Sequence, residues 1–250
     1  MSKPDDDDVV ARAAGGGAGK AEFVRDAFSR IAPRYDLLNH LLSLNVDKGW
    51  RRKAIAELRI DDNPGGRYLD LCAGTLDVSA AIARIAGFGG LVMSVDFAEP
   101  MLRAGLSKAA GYPIHPVAGD ALKIPAANGS MAGAIVAFGI RNVSDIDAAL
   151  TEIHRVLSPG ARLVILEFSV PRSPVVNTAY QLYFRHVLPA IGGLISGHGA
   201  AYRYLPRSVE NFPVTEELAR RMRAAGFSDV RFRSLSLGIA AIHVGQIGST

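Results

Sequence analysis

With 250 residues, 49% of them hydrophobic, and a single cysteine, Cys72, the chain can bury a sizeable core without disulfides or metal. A lone thiol excludes an intrachain bridge, a zinc ribbon or CxxC redox chemistry, and it suits a reducing compartment, so the cytoplasm is expected. A net charge of +4 and a pI near 9.3 fit an anionic partner, but no aromatic-interleaved basic run or nucleic-acid motif accompanies them.

Residues 1–20 carry Asp5 to Asp8 and then Gly15 to Gly17, with no apolar core stretch and no cleavage-site pattern behind one, and read as a disordered leader rather than a signal peptide. Residues 21–250 read as one domain, with no internal repeat and no long linker. Membrane-spanning helices need about 20 predominantly apolar residues. The charge-free stretches His186–Tyr202, Ile124–Ile140 and Ser234–Thr250 are shorter and interrupted by Gly, Pro or polar residues.

In chain order, Phe23, Ala27, Phe28 and Ile31, then Leu37, Leu38, Leu41 and Leu42, recur at helical spacing and predict two amphipathic helices broken at Pro33. Asp47 is the expected cap of a third helix through Trp50, Ala54 and Leu58, which stops before the turn residues Asp61 to Gly66. Short apolar runs then alternate with helical periods: Tyr68–Cys72, a helix from Asp77, Leu91–Val95, a helix from Glu99, Ile114–Val117, Ala134–Phe138, a helix from Asp145, and Leu163–Phe168. This alternation predicts an α/β fold with a mostly parallel sheet, helices on both faces, and a ligand site at the carboxyl ends of the strands. The segment 171–211 is read as an irregular, lid-like insertion. A helix Thr215–Ala225 follows, and then two strands, Val230–Leu235 and Ile239–Val244, close enough together to pair antiparallel.

The first strand runs into Asp70-Leu71-Cys72-Ala73-Gly74-Thr75-Leu76-Asp77, which lacks the G-x-G-x-x-G of a dinucleotide site. Asp70 and Asp77 would repel a pyrophosphate but suit a ligand with an ammonium group and no phosphate, as S-adenosyl-L-methionine has. Asp96 closes the second strand, where a carboxylate accepts from both ribose hydroxyls, and Asp120, after the third, can accept from an adenine amine. Each aspartate taken alone is equally well a helix cap; the three on successive strand ends, with Gly74, make a cradle for a cationic nucleoside.

Three blocks resemble the ubiquinone/menaquinone biosynthesis C-methyltransferases, which are class I S-adenosylmethionine-dependent enzymes. The first runs from Phe28 through Pro33, Tyr35-Asp36 and Asn39 to Trp50. The second joins Phe138-Gly139-Ile140-Arg141-Asn142-Val143 to Leu166-Glu167-Phe168-Ser169-Val170-Pro171, and the third runs from Tyr202 to Val209 and on to Gly238-Ile239-Ala240. The resemblance implies a Rossmann-like seven-stranded sheet with an antiparallel final strand, S-adenosyl-L-methionine as cofactor, and methylation of a ring carbon of a polyprenylated quinol, either a demethylmenaquinol or a methoxy-benzoquinol. It implies cofactor contacts at Thr75, Asp96, Asp120 and Ala121, to which Asp70, Gly74 and Ala137 are added by position.

The chain departs from the family at Leu76, where Gly is usual, at Ala137, where Ser is common, and at Asn45 and Asp47. Leu76 is expected at negative φ, because a side chain disfavours the left-handed region.

For catalysis the resemblance points to Arg141, which can hold the acceptor's oxyanion or polarise a water that takes its proton, and to Tyr35, placed to close over the site. Asp36, Asn142 and His186 are expected on the acceptor side; the other histidines are read as structural. Tyr180, Leu182 and Tyr183, with the apolar residues after them, form an expected wall for the prenyl tail or, equally, a buried satellite helix. The 11 Arg, no Lys and 6 acids from Thr151 onward suit a solvated surface or peripheral contact with anionic lipid. A homodimer, a different phenolic or lipid acceptor, and a non-catalytic cofactor-binding scaffold remain open alternatives.

Overall fold

The computed structural model describes residues 10, 14, 19–32, 35, 45–183 and 199–248. Helix α1 (Lys20–Ile31) presents Val24 and Ile31 inward. Its first residue, Lys20, lies within the segment read as leader yet is buried, and Val10 and Ala14 are helical and packed with Val24 and Tyr204. Helix α2 (Val46–Ala56) is preceded by Asn45 at φ 61° without a side-chain cap bond. Asp47 is therefore not the cap; it sits in the first turn, 3.5 Å from Arg51. The Trp50 indole N–H donates to Ser236 Oγ at 3.0 Å and ties α2 to the turn before the last strand.

The apolar runs form β1 (Arg67–Leu71), β2 (Leu91–Asp96), β3 (Ile114–Ala118), β4 (Met131–Ala137) and β5 (Leu157–Phe168), which pair parallel. Strands β6 (Ser228–Leu235) and β7 (Ala240–Gln246) complete a seven-stranded sheet in the order β3-β2-β1-β4-β5-β7-β6, with β7 antiparallel to both its neighbours. Helices α3 (Asp77–Ala83), α4 (Glu99–Ala109) and α5 (Ile146–Val156) join the parallel strands, and Asp145 caps α5 by accepting from Ala148 N. The two-residue period of β1 sends Leu69 and Leu71 into the core under α5, with Leu150 and Ile153, and Tyr68 into the other, with Trp50 and Ile82.

The segment 171–211, expected to be irregular, instead contains α6 (Pro174–Leu182) and α7 (Gly199–Glu210). Pro174, at the start of α6, has φ pre-set for a helix and no N–H to leave unpaired there. Helix α8 (Thr215–Ala224) then packs Leu218 and Met222 into the core. The chain lays down β1, β2 and β3 outward and then returns to place β4 beside β1. The carboxyl ends of β1 and β4 thus open the crevice where such sheets bind ligands.

Candidate functional site

The loop after β1 is held in a tight form by its own backbone conformation and by one carboxylate. Cys72, Gly74 and Leu76 all take the left-handed conformation, at φ 57°, 53° and 67°. The expectation of negative φ at Leu76 is therefore overturned. Leu76 N–H donates to Ala73 O at 3.0 Å, and its side chain is fully buried, so packing offsets a backbone cost of about 1 kcal/mol or more. Gly105 on α4 makes that packing possible, since a Cβ there would collide with Thr75 O and crowd Leu76.

Asp96 organises the same loop from β2. One carboxylate oxygen accepts from Gly74 N and the other from Ala98 N, both at 2.8 Å. Burial nevertheless pushes its pKa up, these amides opposing the shift.

On the β4 side, Phe138 is also left-handed, at φ 60°, and Gly139 passes so close to the end of β1 that a Cβ there would collide with Cys72 Cβ. Between these loops lies a cavity of about 750 Å³, mouth included. From β3 to β4 it is lined by Gly119, Asp120 and Ala121, then Asp96, Gly74 and Cys72, then Ala137 to Gly139 and Asn142 to Ser144. Ala21, Val24 and Phe28 of α1, with Tyr35, form its roof.

Of the expected cofactor residues, the structure brings Gly74, Asp96, Asp120, Ala121 and Ala137 to this cavity, and Tyr35 and Asn142 join them. Asp70 and Thr75 are not among the lining residues. Strand parity turns Asp70 toward α3, where it accepts from Ser79 N at 3.0 Å and Ser79 Oγ at 2.5 Å, and burial pushes its pKa to about 7. Thr75 is buried and accepts from Lys108 Nζ at 3.3 Å; Lys108 in turn pairs with Asp77, as does Arg51.

Arg141 also departs from expectation. Its guanidinium, 6% exposed, pairs with Glu167 at 2.5 Å, donates to Phe138 O at 2.6 Å and lies 5.4 Å from the centre of the Phe168 ring. It is buried behind the wall and is not open to hold an oxyanion directly. Glu167, a carboxylate that follows the apolar run Leu163–Leu166 in β5, is the functional neighbour that motif reading alone leaves without a role. Among the described residues, Arg141 Nε, Asn142 Oδ1 and Tyr204 Oη at this end are buried without a hydrogen-bond partner, Asn142 being a residue that lines the cavity. Asp36 and His186 lie outside the described residues. His154 and His243 have structural partners, Phe227 and Thr215 O.

The lining suits S-adenosyl-L-methionine. Among the described residues around the cavity there are two aspartates and no lysine, arginine or histidine, so it favours a cationic nucleoside over a phosphorylated one.

Comparison with known proteins agrees with this chemistry. The chain is 49% identical over 221 residues to the demethylmenaquinone methyltransferase of Thermus thermophilus, covering 88% of this chain and 99% of that one. It is 46% identical over 233 residues to the ubiquinone/menaquinone biosynthesis C-methyltransferase of Geobacter sulfurreducens, covering 92% and 90%. Among solved structures, a SAM-dependent methyltransferase from Thermotoga maritima superposes with a TM-score of 0.62 at 20% identity, over 88% of this chain and 98% of that one, a likeness of fold. The sequence model of the ubiE/COQ5 methyltransferase family matches residues 17–247, from just before the roof helix to the end of the last strand. Sheet order, acid-lined cavity and sequence match coincide over the same residues, and the chain belongs to the ubiE/COQ5 methyltransferase family.

Proposed function

We propose that the protein transfers a methyl group from S-adenosyl-L-methionine to a ring carbon of a prenylated quinol, converting a demethylmenaquinol to a menaquinol, with a methoxy-benzoquinol as the related acceptor. The observation that carries the reading is the match, at 46–49% identity over most of the chain, to relatives named for these reactions. When bound, the cofactor supplies an electrophilic methyl group on a sulfonium.

The residues do the rest. Asp96 receives the ribose hydroxyls and Asp120 the adenine amine, while Gly74 lets the main chain approach. Tyr35 and Phe28 of the roof keep water from the cavity and hold the acceptor ring in line. Asn142 Oδ1, buried and unpartnered, accepts from the acceptor's hydroxyl. As the carbon attacks, the hydroxyl proton leaves to water and negative charge develops on the oxygen. Arg141 stabilises that charge from behind the wall, with its position fixed by Glu167 and Phe168.

The protein works in the cytoplasm at the membrane face, where its prenylated acceptor resides. Val175 and Leu182, seven residues apart on α6 and exposed, supply an apolar face for that contact. Among the described residues no helix is long and apolar enough to cross a membrane. Vesicle co-sedimentation that does not depend on anionic lipid would remove the membrane part of the reading.

The test is methyl transfer from labelled S-adenosyl-L-methionine to a reduced demethylmenaquinol and a reduced methoxy-benzoquinol offered side by side. Label is expected in the ring, and the preferred acceptor assigns the pathway. No label in either, with cofactor bound, points to a different acceptor; no cofactor binding points to a scaffold.

A further inference from the structure

The mechanism above leaves one buried cation unused. Lys20 opens α1, is 8% exposed, and its ammonium donates to the main-chain oxygen of Arg141 at 2.8 Å. Burying an ammonium is costly unless a counter-charge accompanies it. Yet among the described residues no carboxylate lies within salt-bridge distance of Lys20, and the buried carboxylate of the cluster, Glu167, is taken by Arg141. Two cations, Lys20 and Arg141, thus meet behind the wall where Asn142 lines the cavity, and of these only Arg141 has a carboxylate partner among the described residues.

None of the groups around this cluster pairs directly with the Lys20 ammonium among the described residues, although Asp96, Asp70 and Glu210 contribute to the field on Cys72 and Tyr180. Tyr180 on α6 and Tyr204 on α7 both feel Arg141 and Glu167, and burial raises both phenols, Tyr204 to about 12, so they stay neutral near physiological pH. The Cys72 thiol is pushed up by burial and by the surrounding carboxylates, and stays neutral as well. On α1 itself, Glu22, Arg25 and Asp26 are exposed to solvent. Burial and Arg141 together lower the pKa of Lys20, which is the mark of a cation lacking a counter-ion. Among the described residues, Tyr204 Oη and Arg141 Nε are both buried without a hydrogen-bond partner.

We propose that Lys20 is a positioning residue for methyl transfer: it holds the Arg141–Asn142 turn against the cavity and supplies there a positive charge, without a carboxylate partner among the described residues, that favours an anionic acceptor oxygen. The proposal rests on the quinol reading given above. Lys20 does not line the cavity and acts through the turn it binds. Because Ala21, Val24 and Phe28 on the same helix form the roof, the bond that places the charge also sets the roof over the cofactor.

The experiment uses the full chain and its Lys20→Met and Lys20→Arg variants, with a reduced naphthoquinol as acceptor. It reads kcat and KM between about pH 6 and 9, and the Kd of S-adenosyl-L-methionine by calorimetry. Lys20→Met is expected to lower kcat about 10- to 100-fold and to move the pH midpoint of kcat up by about one unit, because the acceptor ionises later without the charge. Its cofactor Kd is expected to change less than about threefold, and Lys20→Arg to restore the midpoint. An unchanged midpoint in an active Lys20→Met variant would overturn the proposal even if kcat fell, since a structural lysine lowers stability or affinity without moving that ionisation. Should Lys20→Met fail to fold, Lys20→Ala with added propylamine replaces it: return of the wild-type midpoint supports the proposal, and failure to return counts against it. If the wild type methylates no quinol at all, the acceptor reading falls first and takes this proposal with it.

Discussion

The two halves of the site are finished to different degrees. On the β1–β3 side the polar groups find partners within the chain: Asp96 holds Gly74 N and Ala98 N, Asp70 holds Ser79, and Ser79 shares a 2.7 Å hydrogen bond with Ser94. On the β4–β5 side, Arg141 Nε, Asn142 Oδ1 and Tyr204 Oη are buried without partners among the described residues, and the Lys20 ammonium has a carbonyl but no carboxylate partner there. The first half is a preorganised socket for a ligand common to many reactions. The second has one unpaired acceptor on a lining residue, Asn142 Oδ1, which the proposed function gives to the substrate, and carries the cost of the unpaired groups, about 1–3 kcal/mol each.

The contrast can be broken most sharply at Glu167. Replacing it by Ala leaves Arg141 buried with no counter-charge, and stability to denaturant is expected to fall by about 3–5 kcal/mol. A loss under 1 kcal/mol would mean the pair is not what holds the turn.

On the other side, Asp70 makes stability depend on pH. Its folded pKa, about 7, lies above its ordinary 3.8, so the folded protein keeps a proton that the unfolded chain has released. Stability therefore falls as pH rises through that window, by about 3 kcal/mol between pH 5 and 8, and the loss levels off above the folded pKa. Asp70→Asn should flatten the dependence by that amount in denaturation series; an equal slope in both proteins contradicts the assignment.

A smaller effect is expected at Asp96. Asp96→Ala removes the acceptor for two loop amides and, on the proposed reading, for the ribose, and should weaken cofactor binding about 100-fold in calorimetry. Retained affinity would show that the socket does not depend on this carboxylate.

Leu76→Gly should have the least effect. Relief of left-handed strain, about 1 kcal/mol, opposes the loss of a fully buried side chain, about 2–3 kcal/mol, for a net destabilisation of about 1–2 kcal/mol with cofactor binding kept. A stabilised variant would show that the strain outweighs the packing.

How much of this was legible follows from the range of the interactions involved. The strand-helix alternation from Tyr68 to Phe168, the antiparallel pair at the end, and the acids at the ends of β2 and β3 were readable because periodicity and chain order fix them locally. The helices in 171–211 are not legible in the sequence because Tyr, Arg and Gly there blur the period, whereas in the fold Tyr180 and Tyr204 are buried.

The residues in the sequence therefore determined the sheet, the cofactor's chemical class and the family, since each rests on pattern or on contiguous motifs. The tertiary structure alone decided that Leu76 would tolerate positive φ, because Gly105 comes from a helix thirty residues away. It alone decided that Arg141 would spend its charge on Glu167 rather than on the cavity, and that Lys20, 121 positions earlier, would bind the same turn. Those outcomes depend on which side chains meet across the core, and charge, burial and strain are set by such meetings rather than by spacing along the chain.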